Sequence, residues 1–207
     1  MNIIKPYIEL EDKIDGTAML KKIERIGRTC YKSEGNITND SAERFIKNII
    51  KSGHESVLEH VNISVRIICD RGVTHELVRH RIASYSQEST RYNNYSKNKF
   101  NEELTFIKPC FWNEKEDLFR KWKLCMEEIE GCYLSMIEAG ATPEQARSIL
   151  PNSLKTEIVM TMNLREWRHF FKLRRAKAAH PQTREVANMI LEAFKKEISI
   201  VFDDMER

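Results

Sequence analysis

Between Val61 and Cys69 apolar and polar residues alternate. Val61, Ile63, Val65 and Ile67 point to one side, and Asn62, Ser64 and Arg66 to the other. Period two predicts a strand with one buried face. Ile158, Met160 and Met162 repeat the pattern, and residues 3–10 predict a short strand. Elsewhere the period is helical. Leu20, Ile23, Ile26 and Cys30 form a stripe within Met19–Cys30. Ser41 is placed to cap a second helix that buries Phe45, Ile46, Ile49 and Ile50, with Gly53 as its stop. Thr74 is placed to cap a helix through Glu76, Leu77, Val78 and His80. A long helix is predicted over Asn113–Ala139, with Phe119, Trp122, Met126, Ile129, Tyr133 and Met136 along it and Gly140 ending it. Thr142-Pro143-Glu144-Gln145 combines an N-cap, a proline at the first helical position and a capping-box glutamine, and Pro151 ends that helix. Asn163 is placed to cap a helix carrying Trp167, Phe170, Phe171 and Arg174. The last helix runs from near Pro181 to about Phe202, with Val186, Met189, Ile190, Ala193, Ile198 and Val201 as its stripe. No repeat, low-complexity stretch or linker interrupts the chain, so the pattern predicts one α+β domain over residues 1–207.

Composition adds three constraints. Hydrophobic residues make up 41% of the chain, enough for a core, and 31% are charged. The net charge of +3 excludes a histone-like polycation. The basic residues cluster, however, in Arg71–Arg91 and in Arg165–Lys177, which points to an anionic partner, most simply phosphate. The five cysteines are odd in number and none has CxxC spacing, which argues against a disulfide framework or structural zinc and for a reducing compartment. Cys125 and Cys132 fall on the long helix and are expected in the core. No histidine pair among His54, His60, His75 and His80 has the i, i+4 spacing of a helical metal site, so no metal is expected. The first residues, MNIIKPYIELEDK, contain no long apolar run, and no stretch approaches the ~20 apolar residues of a membrane span, so a cytoplasmic protein is expected.

The segment Arg79–Tyr92, RHRIASYSQESTRY, is chemically unusual. Arginines at both ends enclose hydrogen-bonding side chains, among them Ser84, Ser86, Gln87, Ser89 and Thr90. Arg79 and Arg81 can clamp a phosphate bidentately, and Ser89 with nearby backbone amides can complete the cradle. A solvated surface is the plainer reading of such a stretch. Arg79-His80-Arg81, seven residues, Ser89, then Arg91 and Tyr92 resembles the signature of the flavin-dependent thymidylate synthases. The resemblance extends from about His54 to Ala187. His54-Glu55-Ser56 with Glu59-His60 resembles an upstream flavin-side element. Arg147 ahead of Leu150-Pro151 resembles a substrate-binding arginine. Asn163-Leu164-Arg165, with His169, Leu173 and Arg174, resembles the C-terminal cofactor and substrate element. Ser86 and Gln87 stand where many members carry Asn and Glu, and His169 where Asn is common; each retains a hydrogen-bonding side chain.

The resemblance implies an α+β domain with a small, mostly antiparallel sheet, assembled as a homotetramer whose sites are shared between subunits. It implies reductive methylation of dUMP to dTMP, with methylenetetrahydrofolate as carbon donor, FAD as cofactor and NADPH as reductant. It places dUMP against Glu76, Leu77, Val78, Arg79, Gln87, Glu88, Ser89, Thr90, Arg91, Arg147 and Arg174, and FAD against Ser56, Arg79, His80, Arg81, Gln87, Asn163, Leu164, Arg165 and His169. Arg174 is the expected activating residue: a guanidinium beside the uracil favours its anionic form. Lacking any GxGxxG, the chain must hold FAD by side chains from separate elements. Such a protein needs no nucleic acid or membrane partner. Two alternatives stay open: a nucleic-acid-binding module using the basic run Lys172–Lys177, and an inactive nucleotide-binding paralogue.

Overall fold

A computed structural model describes residues 1–97 and 100–205. In chain order the elements are β1 (Asn2–Ile4), β2 (Tyr7–Leu10), α1 (Gly16–Thr29), α2 (Ser41–Lys51), β3 (Asn62–Asp70), α3 (Arg71–Leu77), β4 (Ser84–Gln87), β5 (Thr105–Ile107), α4 (Asp117–Glu138), α5 (Pro143–Ala146), β6 (Lys155–Asn163), α6 (Leu164–Arg174) and α7 (Pro181–Phe202). Short 3-10 turns span Glu34–Asn36, Glu55–His60 and Arg147–Ile149. The α+β class is as expected, with a small, mostly antiparallel sheet and one parallel pair. The four-stranded sheet has the order β2-β3-β6-β4, and β1 runs parallel to β5 with Asn2 opposite Thr105. β3 and β6 are antiparallel: Arg71 N donates to Leu154 O, Ser64 Oγ lies 2.8 Å from Thr161 Oγ1, and Leu164 N donates to Val61 O.

The chain divides into two compact units whose boundaries fall inside the strands. One unit comprises Met1–Tyr7, Ile67–Arg79 and Ser86–Ile158. Its core gathers Tyr95, Leu104, Phe106, Met126, Tyr133, Ala146 and Leu154. The other comprises Ile8–Arg66, His80–Tyr85 and Val159–Arg207. Its centre is aromatic: the Trp167 ring meets Phe170 edge-on at 5.5 Å and Phe194 at 5.1 Å, and its indole N–H donates to Ile63 O. The alternation on β6 places Thr156, Ile158, Met160 and Met162 inside, and that on β3 buries Ile63, Val65 and Ile67, as expected.

Several local expectations change. The predicted strand over 3–10 is two strands, because Lys5-Pro6 interrupts it and proline has no N–H for a ladder. Asp70, not Thr74, caps α3: its carboxylate accepts from Val73 N, while Thr74 lies inside the helix and its hydroxyl donates to Arg71 O. Asp40 is the N-cap residue of α2 and Ser41 its first helical residue, with Ser41 Oγ accepting from Thr38 N and donating to the buried Glu24 carboxylate. Cys125 and Cys132 are exposed, because α4 buries only Phe119, Met126 and Tyr133. Arg79–Tyr92 contains a strand, β4, that its sequence did not announce.

Candidate active site

Helix α6 supplies most of one cavity. Asn163 caps it, its side chain accepting from Glu166 N at 2.9 Å. Helical spacing then puts Arg165, Glu166, His169 and Lys172 along one face. With Asn163, Arg81, Ile82, Glu55 and Glu59 they line a cavity of about 530 Å³. Arg165 Nη1 meets Glu59 Oε1 at 2.6 Å on the exposed rim. Behind this face Arg168 is buried and uses every N–H it has. Nε and Nη2 donate to Glu55 Oε1 at 3.2 and 3.1 Å; Nη1 and Nη2 hold Asp204 at 2.7 and 2.6 Å; Nη1 also donates to Val201 O. Arg168 therefore fixes the turn that presents Glu55 and Glu59.

In the same unit Arg174 Nε donates to His80 Nε2 at 2.8 Å. His80 is only 5% exposed, and burial, then the charge of Arg174 and the proximity of His169, push its pKa down to about 4. The ring is neutral, with its proton on Nδ1, 3.6 Å from Glu166 Oε1. Burial raises the Glu166 carboxyl above its ordinary range, with His169 opposing. The His80 carbonyl accepts from Arg81 Nη1 at 2.7 Å and from Tyr85 OH at 3.0 Å, and Phe170 packs edge-on against the ring at 4.9 Å. His80 thus orients Arg174 as an acceptor rather than repelling it as a cation.

The other unit carries a second cavity, about 440 Å³, lined by Arg71, Thr90, Glu144, Arg147, Ser148 and Leu150. Arg71 follows the cap residue Asp70, and its Nη1 is buried without a hydrogen-bond partner. A buried guanidinium nitrogen with an unused donor, beside Arg147 and the Thr90 hydroxyl, is a site for an anion. Ser89 opens a tight turn: Tyr92 N and Asn93 N donate to its carbonyl, and Arg91 N to its Oγ. Arg91 Nε pairs with Glu144 Oε1 at 3.0 Å.

A family model described as "Thymidylate synthase complementing protein" matches residues 14–198. The chain belongs to the thymidylate synthase complementing protein family. Among similar proteins, one of Pyrococcus furiosus named "Flavin-dependent thymidylate synthase" is 42% identical over 82% of this chain and 69% of its own length. Proteins of the same name from Pyrococcus abyssi (43%, over 77% of this chain and 65% of that one) and Geobacter sulfurreducens (34%, over 86% and 78%) are also similar. The aligned region thus spans about two thirds of the archaeal relatives' length.

In this member of the thymidylate synthase complementing protein family, Arg81, Asn163, Arg165 and His169 share the larger cavity. Ser56 is exposed on the 3-10 turn that also presents Glu55 and Glu59. His80 and Arg174 are joined directly, and Thr90 and Arg147 share the smaller cavity. Arg79 is exposed, with Nε donating to His75 O at 3.1 Å. The Gln87 amide donates to Thr74 Oγ1 at 3.0 Å and Thr156 Oγ1 at 3.3 Å. Glu76 and Val78 are half-buried at the end of α3. Leu77 and Leu164 are wholly buried. The sequence assigned no site role to Arg71, Lys172 or Glu166, and it noted Glu55 only as part of the upstream flavin-side element. Arg71 and Lys172 carried a signal as members of the two basic clusters, and Glu166 carried none. Among the described residues no group of three or more His, Cys, Asp or Glu could hold a metal ion, and no helix is long and apolar enough to cross a membrane.

Proposed function

We propose that the chain is a flavin-dependent thymidylate synthase, converting dUMP to dTMP with methylenetetrahydrofolate as carbon donor and NADPH as reductant. The observation that supports this is one cavity that gathers Arg81, Asn163, Arg165 and His169, four of the residues the resemblance implies for FAD, together with Lys172. Its about 530 Å³ lies in the range of roughly 300–1,000 Å³ for small-molecule sites. Its donor set suits FAD: Arg81, Arg165 and Lys172 offer charge to a pyrophosphate, Glu55 and Glu59 can accept from ribose hydroxyls, and Asn163 and His169 offer amide and ring nitrogens. When bound, FAD supplies the hydride that completes the methyl group.

The chain's own residues do the rest. Arg71, Thr90, Arg147, Ser89 and Arg91 hold the nucleotide phosphate, with Gln87 and the backbone around Glu76–Arg79 flanking it. Arg174, oriented by neutral His80, stabilises negative charge on the uracil ring, which raises the nucleophilicity of C5. No cysteine is needed. Burial raises the Cys69 thiol well above its ordinary pKa, the opposite of what a nucleophile requires.

Ile82, Tyr92 and Leu173 are 85%, 76% and 50% exposed within the motifs themselves. Large apolar side chains left bare there support a homotetramer with sites shared between subunits. A single functional domain and a cytoplasmic setting accord with this reading. The test is spectroscopic: purified protein should be yellow, with a flavin spectrum that bleaches on adding NADPH. A colourless protein that takes up no added FAD contradicts the proposal.

A further inference from the structure

An acidic residue stands next to the serine of the phosphate turn. Glu88 precedes Ser89 and Thr90, so an unscreened carboxylate there would oppose a dianionic phosphate. Its side chain lies elsewhere. Glu88 Oε1 accepts from Tyr95 OH at 2.9 Å, and Oε2 meets Lys155 Nζ at 3.0 Å. The backbone is held as well, with Glu88 N donating to Glu157 O at 2.8 Å. Lys155, mostly buried, lies between two carboxylates, closer to Glu88 than to Glu157 at 3.7 Å. Tyr95 is itself fixed: it is buried, its N donates to Tyr133 OH, and its ring packs on Phe100 at 4.9 Å. Burial first, then Glu88, raises its phenol far above the ordinary value, so it stays a donor. Glu88, Tyr95 and Lys155 line a cavity of about 380 Å³ with Asn2, Glu103 and Thr105, a set distinct from the residues around Arg147.

We propose that Tyr95 and Lys155 are positioning residues for nucleotide binding: they draw the Glu88 carboxylate out of the anion site, neutralise it, and set the register of the Ser89–Arg91 turn. Glu88 is on this account an anchor of the turn rather than a ligand contact. The inference rests on the reading of that turn as the phosphate site. Neither residue touches substrate; removing Lys155 frees a negative charge next to Ser89, and removing the Tyr95 hydroxyl frees one oxygen of it.

The test compares binding of dUMP and of deoxyuridine, which lacks the phosphate, to FAD-loaded enzyme. Lys155→Met should weaken dUMP about tenfold while changing deoxyuridine less than about twofold, because the Glu88 charge it leaves unpaired repels the phosphate, which deoxyuridine lacks. Lys155→Arg should stay within about threefold of the parent for both ligands, since it keeps the charge. Tyr95→Phe should weaken dUMP by a smaller factor with kcat unchanged, and it decides the matter if Lys155→Met does not fold. Equal loss for both ligands, or unchanged dUMP affinity in folded, flavin-loaded variants, overturns the proposal. A parent enzyme that does not prefer dUMP to deoxyuridine instead removes the phosphate-site reading beneath it.

Discussion

Arg174 owes its orientation to a histidine that stays neutral. Were His80 protonated, its Nε2 would have no lone pair and two cations would face each other at 2.8 Å. Burial prevents this by holding the ring near pKa 4. An unfolded chain would take up that proton near 6.5. The stability tied to neutral His80 is therefore fully present above pH 6.5 and is lost as pH falls through about 4, on the order of 3 kcal/mol in all. Unfolding curves between pH 7 and 4 should show this slope in the parent and a flatter one in His80→Gln, which has no proton to gain. Arg174→Ala should lower turnover by at least about a hundredfold. Flavin should stay in place in that variant, because Arg174 does not line the larger cavity; visible absorbance and single-turnover dTMP formation separate the two effects.

Helix α1 meets α7 at a point with no room for a side chain. A Cβ on Gly16 would lie 2.0 Å from Glu197 O, just where Ile198 departs from helical geometry and bends α7. Gly16→Ala must displace backbone rather than a flexible side chain, and should lower stability by roughly 1–3 kcal/mol or more, read by thermal unfolding. Glycine at 16 carried no such warning in the sequence, because the contact joins residues 181 positions apart. The same division separates what was legible from what was not. β3, β6, the Asn163 cap and the capping box at Thr142 rest on local chemistry or a period of two, and they stand as expected. β4 was invisible because Ser84–Gln87 has little strand propensity and gains its ladder only from a distant partner. Cys125 and Cys132 misled because a helical stripe gives a direction, while the width of the covered face depends on what packs against it.

At the level of the whole molecule, the candidate site was legible as a set of motifs and illegible as geometry. The order of Arg79-His80-Arg81, Ser89, Arg147, Asn163 and Arg174 marked the family, which the match over residues 14–198 bears out. The His80–Arg174 bond, the full engagement of Arg168 and the unpaired state of one Arg71 nitrogen depend on tertiary placement, which a local pattern does not encode. The proposed homotetramer makes its own prediction. If sites are shared, Arg147→Ala and Arg174→Ala subunits, each inactive alone, should regain activity when dissociated, mixed and reassembled, because some sites then receive both intact arginines; the partner residues must lie on different chains for this to occur. The most direct test of the central claim is tritium release from dUMP labelled at C5, since replacing that hydrogen is the act of methylation. Release that requires FAD, NADPH and methylenetetrahydrofolate together, and dTMP formed in equal amount, is the predicted result. Absence of release from flavin-loaded protein with all three present would contradict it.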